Sequence, residues 1–314
     1  MNPIHALYTQ LWQIPAIRGS RLGRHMFKQL AKGNVAPAYE FLTDFFGLSY
    51  RGELGNSIDF NIFYYGAFEK PLLFFLSDTL EAIAPHGCFA DIGANIGQHS
   101  LYMSRLARQV HAFEPYQAVR DRLQLQIQLN ALENITVHPV GLSDRNTSLP
   151  FFAPTGRNTG IGSFDASTVE KGNRNIGELQ LVNGDDYFRA QHIEHIDLMK
   201  IDVEGFEKPA LHGLASTLRS NRPIVVCEIT YNKPFSFESL SDMLAALPEN
   251  YSLFTFDTRK RDGSKARRRN ARTRLSGNYR IIPYQDFRTE GQDDIIACPN
   301  EALTKLPRSR GTEI

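Results

Sequence analysis

The chain has little cysteine, and its three thiols, Cys88, Cys227 and Cys298, stand in short apolar runs rather than at paired spacings. That excludes a disulfide framework and a zinc-ribbon spacing, and it fits core thiols in a reducing compartment such as the cytoplasm. No apolar run approaches the roughly 20 residues that cross a bilayer. No basic segment leads into an apolar stretch with a small-residue cleavage site, so a secretory signal is not expected. Internal repeats are absent. Net charge is only +1, but it is unevenly laid out. Residues 259–274 hold nine of the 35 basic residues and one of the 34 acidic ones, leaving the remaining chain acidic. What is plentiful is apolar surface, at 42% of 314 residues, enough for one large α/β domain with additions.

That surface is organised around Phe89–Pro115, FADIGANIGQHSLYMSRLARQVHAFEP. Cys88–Ile92 has the length of a buried strand, Gln98–Ala107 that of a helix, and Gln109–Phe113 that of a second strand. Gly93 and Gly97 permit a tight turn and close approach of a ligand. The helix start carries unpaired N–H groups and partial positive charge. Glu114 follows Gly93 at close to the ~20-residue spacing at which an acid reaches ribose hydroxyls. A nucleoside cofactor at the strand ends is therefore expected. The turn lacks the G-x-G-x-x-G of dinucleotide sites, with Asn95 where the second glycine would stand. Asp91 before the turn would repel a diphosphate and suit a cation such as S-adenosylmethionine.

Along the rest of the chain, 1–33 reads as amphipathic helix broken near Pro15 and Gly19. Ala38–Phe46 and Ser57–Tyr65 read as strands of a small antiparallel cap. A helix is expected over Pro71–Ala84 and another over 116–131. Ile135–Leu142, His195–Ile201 and Pro223–Ile229 read as further parallel strands, and Leu149–Ala153 as a short edge strand. One helix is expected from Phe206 to Ser220 and one over Phe237–Leu247. Tyr251–Phe256 and Asp294–Cys298 form a closing strand pair. Residues 154–178, rich in glycine and small polar residues, read as a loop contacting substrate, with Arg157, Asn158 and Ser163 as its candidates. The basic run 259–274 reads as a solvated hairpin or an anion contact. It lacks the aromatics of a single-strand platform, which counts against nucleic acid. Residues 299–314 read as a frayed tail. The domain plan is thus 1–64 cap, 65–298 main domain and 299–314 tail, with a doubly wound α/β sheet carrying an antiparallel edge strand.

Several motifs resemble one family. D-I-G-A-N-I-G at 91–97, V-H-A-F-E-P at 110–115, G-L-S-D at 141–144, I-D-L-M-K-I-D-V-E-G-F-E at 196–207, P-I-V-V-C-E at 223–228 and the lead-in Y-G-A-F-E at 65–69 are similar to the FkbM family of S-adenosylmethionine-dependent methyltransferases. The resemblance implies a Rossmann-like class I methyltransferase fold with a seven-stranded sheet. It implies that Asp91, Gly93, Asn95 and Gly97 line the methionine part of the cofactor, with Glu69 and Pro115 beside it. Glu114 would hold the ribose, Ser143 and Asp144 would lie near the adenine, and Asp202, Val203 and Glu204 would face the transferring methyl group.

For methyl transfer to a hydroxyl, Asp202, Glu204, Glu228 and His99 are the candidate bases. Each has a structural alternative: cofactor orientation, helix capping, ion pairing or a pocket wall. A metal is not expected, since three carboxylates with no fixed spacing define no site. The segment after the fourth strand is D-V-E-G, without the Asn/Asp-Pro-Pro-aromatic pattern of base amino-methyltransferases. O-methylation of a small molecule or glycan is the leading expectation. An NAD-type oxidoreductase and a non-catalytic module using its basic arm are the alternatives.

Overall fold

The computed structural model describes residues 40–311 except 55, 155–161 and 261, together with scattered positions between 10 and 25. Most of the amphipathic stretch expected over 1–33 lies outside the described residues. The chain first forms a hairpin, β1 (Glu40–Phe45) and β2 (Leu48–Glu53). Phe46 and Gly47 at its tip both have positive φ, as a two-residue turn matching strand twist demands. Ser57–Tyr65, expected as a strand, is helix α1. Two ends decide this. The Asn56 side chain accepts the Ile58 and Asp59 N–H groups, and Gly66, at φ 83, closes the helix by donating to Ile62 O. Asp59 is fully buried, and its carboxylate accepts from Tyr50 Oη at 2.7 Å and Arg122 at 2.6 Å, which fastens the hairpin to the main domain.

The main domain then alternates: α2 (Lys70–Ile83), β3 (Cys88–Ile92), α3 (Gln98–Met103), β4 (Gln109–Phe113), α4 (Gln117–Leu129) and β5 (Ile135–His138). The strand expected to run to Leu142 stops at Pro139, which has no N–H for the ladder. The chain leaves the sheet there and builds a second one from β6 (Gly141–Ser143), β7 (Thr147–Pro154) and β8 (Asn173–Asn183), in the order β6-β8-β7. The end of the expected loop, from Asn173, is therefore strand, and Ala166–Lys171 is a short 3₁₀ turn.

The alternation resumes with α5 (Gly184–Ala190), β9 (Leu198–Ile201), α6 (Glu207–Gly213), α7 (Ala215–Asn221), β10 (Ile224–Thr230), α8 (Leu240–Ala245) and β11 (Tyr251–Phe256). It closes with α9 (Arg267–Ser276), β12 (Tyr279–Pro283), β13 (Gln292–Pro299) and β14 (Ser309–Arg310). Among the described residues the main sheet has nine strands, ordered β14-β12-β11-β13-β10-β9-β3-β4-β5.

Two expectations are corrected here. The antiparallel strand β13 is not at an edge but sits between β10 and β11. The seven expected strands are extended by β12 and β14, so the basic insertion contributes a helix that leads into β12, and the tail pairs with the sheet. Alternation along the central strands covers both faces, as a doubly wound sheet requires. Phe89, Leu198 and Val226 join the helices α2–α4 in one core; Ala90, Met199 and Val225 join α6 and α8 in the other. All three cysteines are buried thiols. Among the described residues no helix is long and apolar enough to cross a membrane.

Candidate active site

The glycine turn sits where the carboxyl ends of β3, β4 and β9 meet. The Gly93 and Ala94 N–H groups both donate to Phe113 O at 3.0 Å, holding the turn against β4. A Cβ on Gly93, at φ 81, would lie 1.9 Å from Asp202 O. One on Gly97, at φ 87, would lie 2.1 Å from Leu123 Cδ1. Both glycines are therefore required by the chain's own packing, rather than only by a ligand. Asn95 takes the left-handed conformation at φ 53, and its side chain accepts the Ile96 N–H.

Glu114 is the fixed point of the first cleft. Its Oε2 accepts the Asn95 N–H at 2.9 Å, and its Oε1 accepts the Tyr116 N–H at 2.8 Å. Each oxygen keeps a further lone pair. Burial lifts the carboxyl to about 7, against the pull of those two donors and Arg120. The cleft encloses about 720 Å³, open solvent included, and Glu114 and Pro115 line it beside Tyr116, Leu142, Phe151 and Phe164. It is a mostly apolar slot with one bidentate acid, suited to a nucleoside.

A second cavity of about 920 Å³, open solvent included, adjoins it, with Gly93, Asn95, Asp202 and Glu204 lining both. Here carboxylates gather: Glu69, Asp202, Glu204 and Glu228 line the space, with Lys200 as the cation among them. Lys200 is 3% exposed and donates to Asp202 Oδ2 at 3.0 Å, with Asp91 Oδ1 at 4.0 Å. Burial opposes its charge, but Asp202, Asp91 and Glu69 outweigh burial and hold it protonated. Burial and then Asp202 raise Glu204 to about 7. Burial raises Glu228 and Glu69 well above the usual range, with Asp202 and Asp294 adding to both. His99 is pushed well below its ordinary value by burial and by Lys200, so its imidazole is neutral. Among the described residues no three His, Cys, Asp or Glu side chains form a metal-holding group.

Several expected residues stand elsewhere. Asp91 is fully buried behind the turn, lines neither cavity, and accepts from Ser100 Oγ at 2.6 Å. Its Oδ1 lies 4.0 Å from Lys200 Nζ. Gly97 likewise lines neither cavity. Ser143 and Asp144 are not among the residues lining the Glu114 cleft, which Gly141 and Leu142 wall. Ser143 is buried and Asp144 pairs with Arg145. Ser163 ties β7 to the strand end: its N–H donates to Phe152 O and its Oγ to Glu204 O. Its neighbours Gly162 and Phe164 line the cleft. Arg157 and Asn158 lie outside the described residues. The residues missed from sequence are Lys200, Asp294 and Gln292. Gln292 donates to Glu228 Oε1 at 2.9 Å. Lys200 carried a signal, a charge inside an otherwise apolar strand.

The sheet order and the cleft across its carboxyl ends define a Rossmann-like α/β protein. More particularly, the chain belongs to the methyltransferase FkbM domain family, whose pattern matches residues 91–254. It is 28% identical over 141 residues to Methyltransferase 1 of Beauveria bassiana, a match covering 40% of this chain and 57% of that protein. It is 28% identical over 144 residues to the hexuronic acid methyltransferase AglP of Haloferax volcanii, covering 43% of this chain and 53% of that one. The matches thus span little more than half the length of these relatives. Among solved structures, the methyltransferase FkbM of Methylobacillus flagellatus is similar, at 16% identity and a TM-score of 0.39, covering 67% of this chain and 43% of that one.

Proposed function

We propose that the protein is an S-adenosylmethionine-dependent O-methyltransferase acting on a hydroxyl of a small molecule or glycan. The observation that carries this is the junction of the two cavities at Gly93, Asn95, Asp202 and Glu204, one apolar with Glu114 at its base, the other rich in carboxylates. The residues fit the cofactor. Glu114 has lone pairs left for two ribose hydroxyls, and Tyr116, Phe151 and Phe164 offer flat walls for a base. The carboxylate excess favours a ligand carrying an ammonium and a sulfonium, and disfavours the diphosphate of NAD. Bound there, S-adenosylmethionine would supply a sulfonium methyl group for the acceptor oxygen, with S-adenosylhomocysteine as the leaving group.

The chain's own residues position the partners and take the proton. Lys200 holds Asp202 at the strand end, next to the turn. Glu204 lines both cavities, and its raised carboxyl is matched to accept a hydroxyl proton near neutral pH. Neutral His99 forms a wall beside Glu69, 3.8 Å away. The Haloferax relative is a hexuronic acid methyltransferase, which supports a sugar-type acceptor. Transfer of label from methyl-labelled S-adenosylmethionine to extracts of the source cells tests this reading. Glu204→Gln lowers turnover by roughly 10²–10⁴-fold with S-adenosylhomocysteine affinity kept, as removal of a general base does. An unchanged turnover would remove Glu204 from that role.

A further inference from the structure

A third cavity of about 560 Å³, open solvent included, lies between the start of α2, the ends of β11 and β12, and α9. All of its lining residues lie outside 91–254, the span of the family match, whereas all of those lining the Glu114 cleft lie within it. The nucleoside cleft is thus built from the shared domain, and this cavity from the segments that flank it. Segments grafted on a common scaffold are where specificity varies.

The cavity is joined to the chemistry. Glu69 lines both it and the carboxylate cavity, so the two spaces meet at that side chain. Glu69 is held there at φ 47, a conformation costly for a non-glycine residue and typical of functional sites. Asp294 lines the third cavity and raises Glu69 and Glu228 through its charge, so it too faces the carboxylate group.

The wall made by the basic insertion is fixed. Arg269 donates to Asp257 at 2.6 Å, Asn270 Nδ2 to Thr258 O at 3.0 Å, and Lys70 Nζ to Leu275 O at 3.2 Å. A Cβ on Gly277 would meet the Phe74 ring at 2.2 Å, so α9 rests closely on α2. Its face towards the cavity is not arginine but Asn270 and Thr273. Opposite them stand Leu72 and Phe256. An apolar floor ringed by amide, hydroxyl and carboxylate groups, with Arg280 held by Asp257 beside them, matches a ring that carries several hydroxyls, each able to donate and accept.

We infer that this cavity seats the acceptor and that the acceptor is a carbohydrate, its reacting hydroxyl passing Glu69 into the carboxylate cavity. This rests on the methyltransferase reading for the word acceptor, but not for the carbohydrate site itself. The probes are methyl β-glucoside and glucuronate, observed by saturation-transfer NMR on the full chain with and without S-adenosylhomocysteine. Saturation of the ring protons of at least one sugar is expected with the wild type. Thr273→Phe, which fills the cavity, abolishes it while S-adenosylhomocysteine affinity is unchanged. Asn270→Ala, which adds no bulk, weakens the same signal and reports on the site if Thr273→Phe melts early. Sugar signals absent from the wild type, or undiminished in both variants, would overturn the inference. Sugar binding by folded protein that ignores S-adenosylhomocysteine would sink the methyltransferase reading and leave the carbohydrate site standing.

Discussion

Lys200, buried between Asp91 and Asp202, shows how single residues set this site. The motif around it is readable from sequence as a strand end bearing acids, yet pairing of Asp91 with a lysine two strand positions from Asp202 is not, because it depends on β9 lying beside β3 in register. Asp91 sits opposite Lys200 in that register. Replacing Lys200 by Met strands two carboxylates, one wholly buried. Breaking a buried pair from one side costs roughly 3–5 kcal/mol, so Lys200→Met should lower the urea midpoint strongly. A midpoint near wild type would show that the lysine is dispensable to folding. Gly93 is legible as a turn glycine, but its true constraint is the Asp202 carbonyl. Gly93→Ala forces a positive-φ residue into that contact, and a loss of about 1–3 kcal/mol is expected from chemical denaturation. Unaltered stability would mean that β9 can withdraw.

The elements divide by how local their causes are. β3 and β4 fall where the apolar runs place them, because short buried strands between glycine and acidic ends leave few options. Ser57–Tyr65 misleads because its aromatic and β-branched residues alternate partly, while helix against strand is settled by the Asn56 cap and Gly66. The basic run misleads differently. Its charges suggest a solvated arm, yet Asp257, a single acid beyond the run's start, binds both Arg269 of α9 and Arg280 of β12. Such tertiary pairing has no local signature. Asp257→Asn should therefore speed amide exchange across 265–283 while β3, β4 and β9 stay protected. Uniform protection in the variant would show that helix packing on α2 alone holds the insertion.

At the scale of the molecule, titration is concentrated at the site. Burial first, then neighbouring acids, place Glu204 and Asp294 at about 7 and Glu207 at about 8, and burial places Glu114 at about 7. A carboxyl raised on folding stabilises the protein below its unfolded pKa, and that contribution is lost as pH rises through the folded value. Burial lowers His111 and His138 to about 4, which acts oppositely and adds stability as pH climbs from 4 towards 6.5. Above 6.5 the carboxyls act without that offset, so the melting temperature of the ligand-free chain should fall between pH 6.5 and 8. A flat profile there would contradict the crowding of acids at the site. The doubly wound plan was legible because alternating strands and helices bury both sheet faces. The extension of the sheet to nine strands was not, since β14 is only Ser309–Arg310 and its pairing with Tyr279 and Arg280 is a tertiary contact without a local signature. The central claim is that this sheet presents one nucleoside cleft beside a cation-seeking cavity. Calorimetric titration of the full chain with S-adenosylhomocysteine, and separately with NAD, tests it most directly. Saturable binding of the first, weakened in Glu114→Ala, and no heat from the second are expected; folded protein that ignores S-adenosylhomocysteine, or takes NAD instead, would contradict a nucleoside cleft beside a cation-seeking cavity.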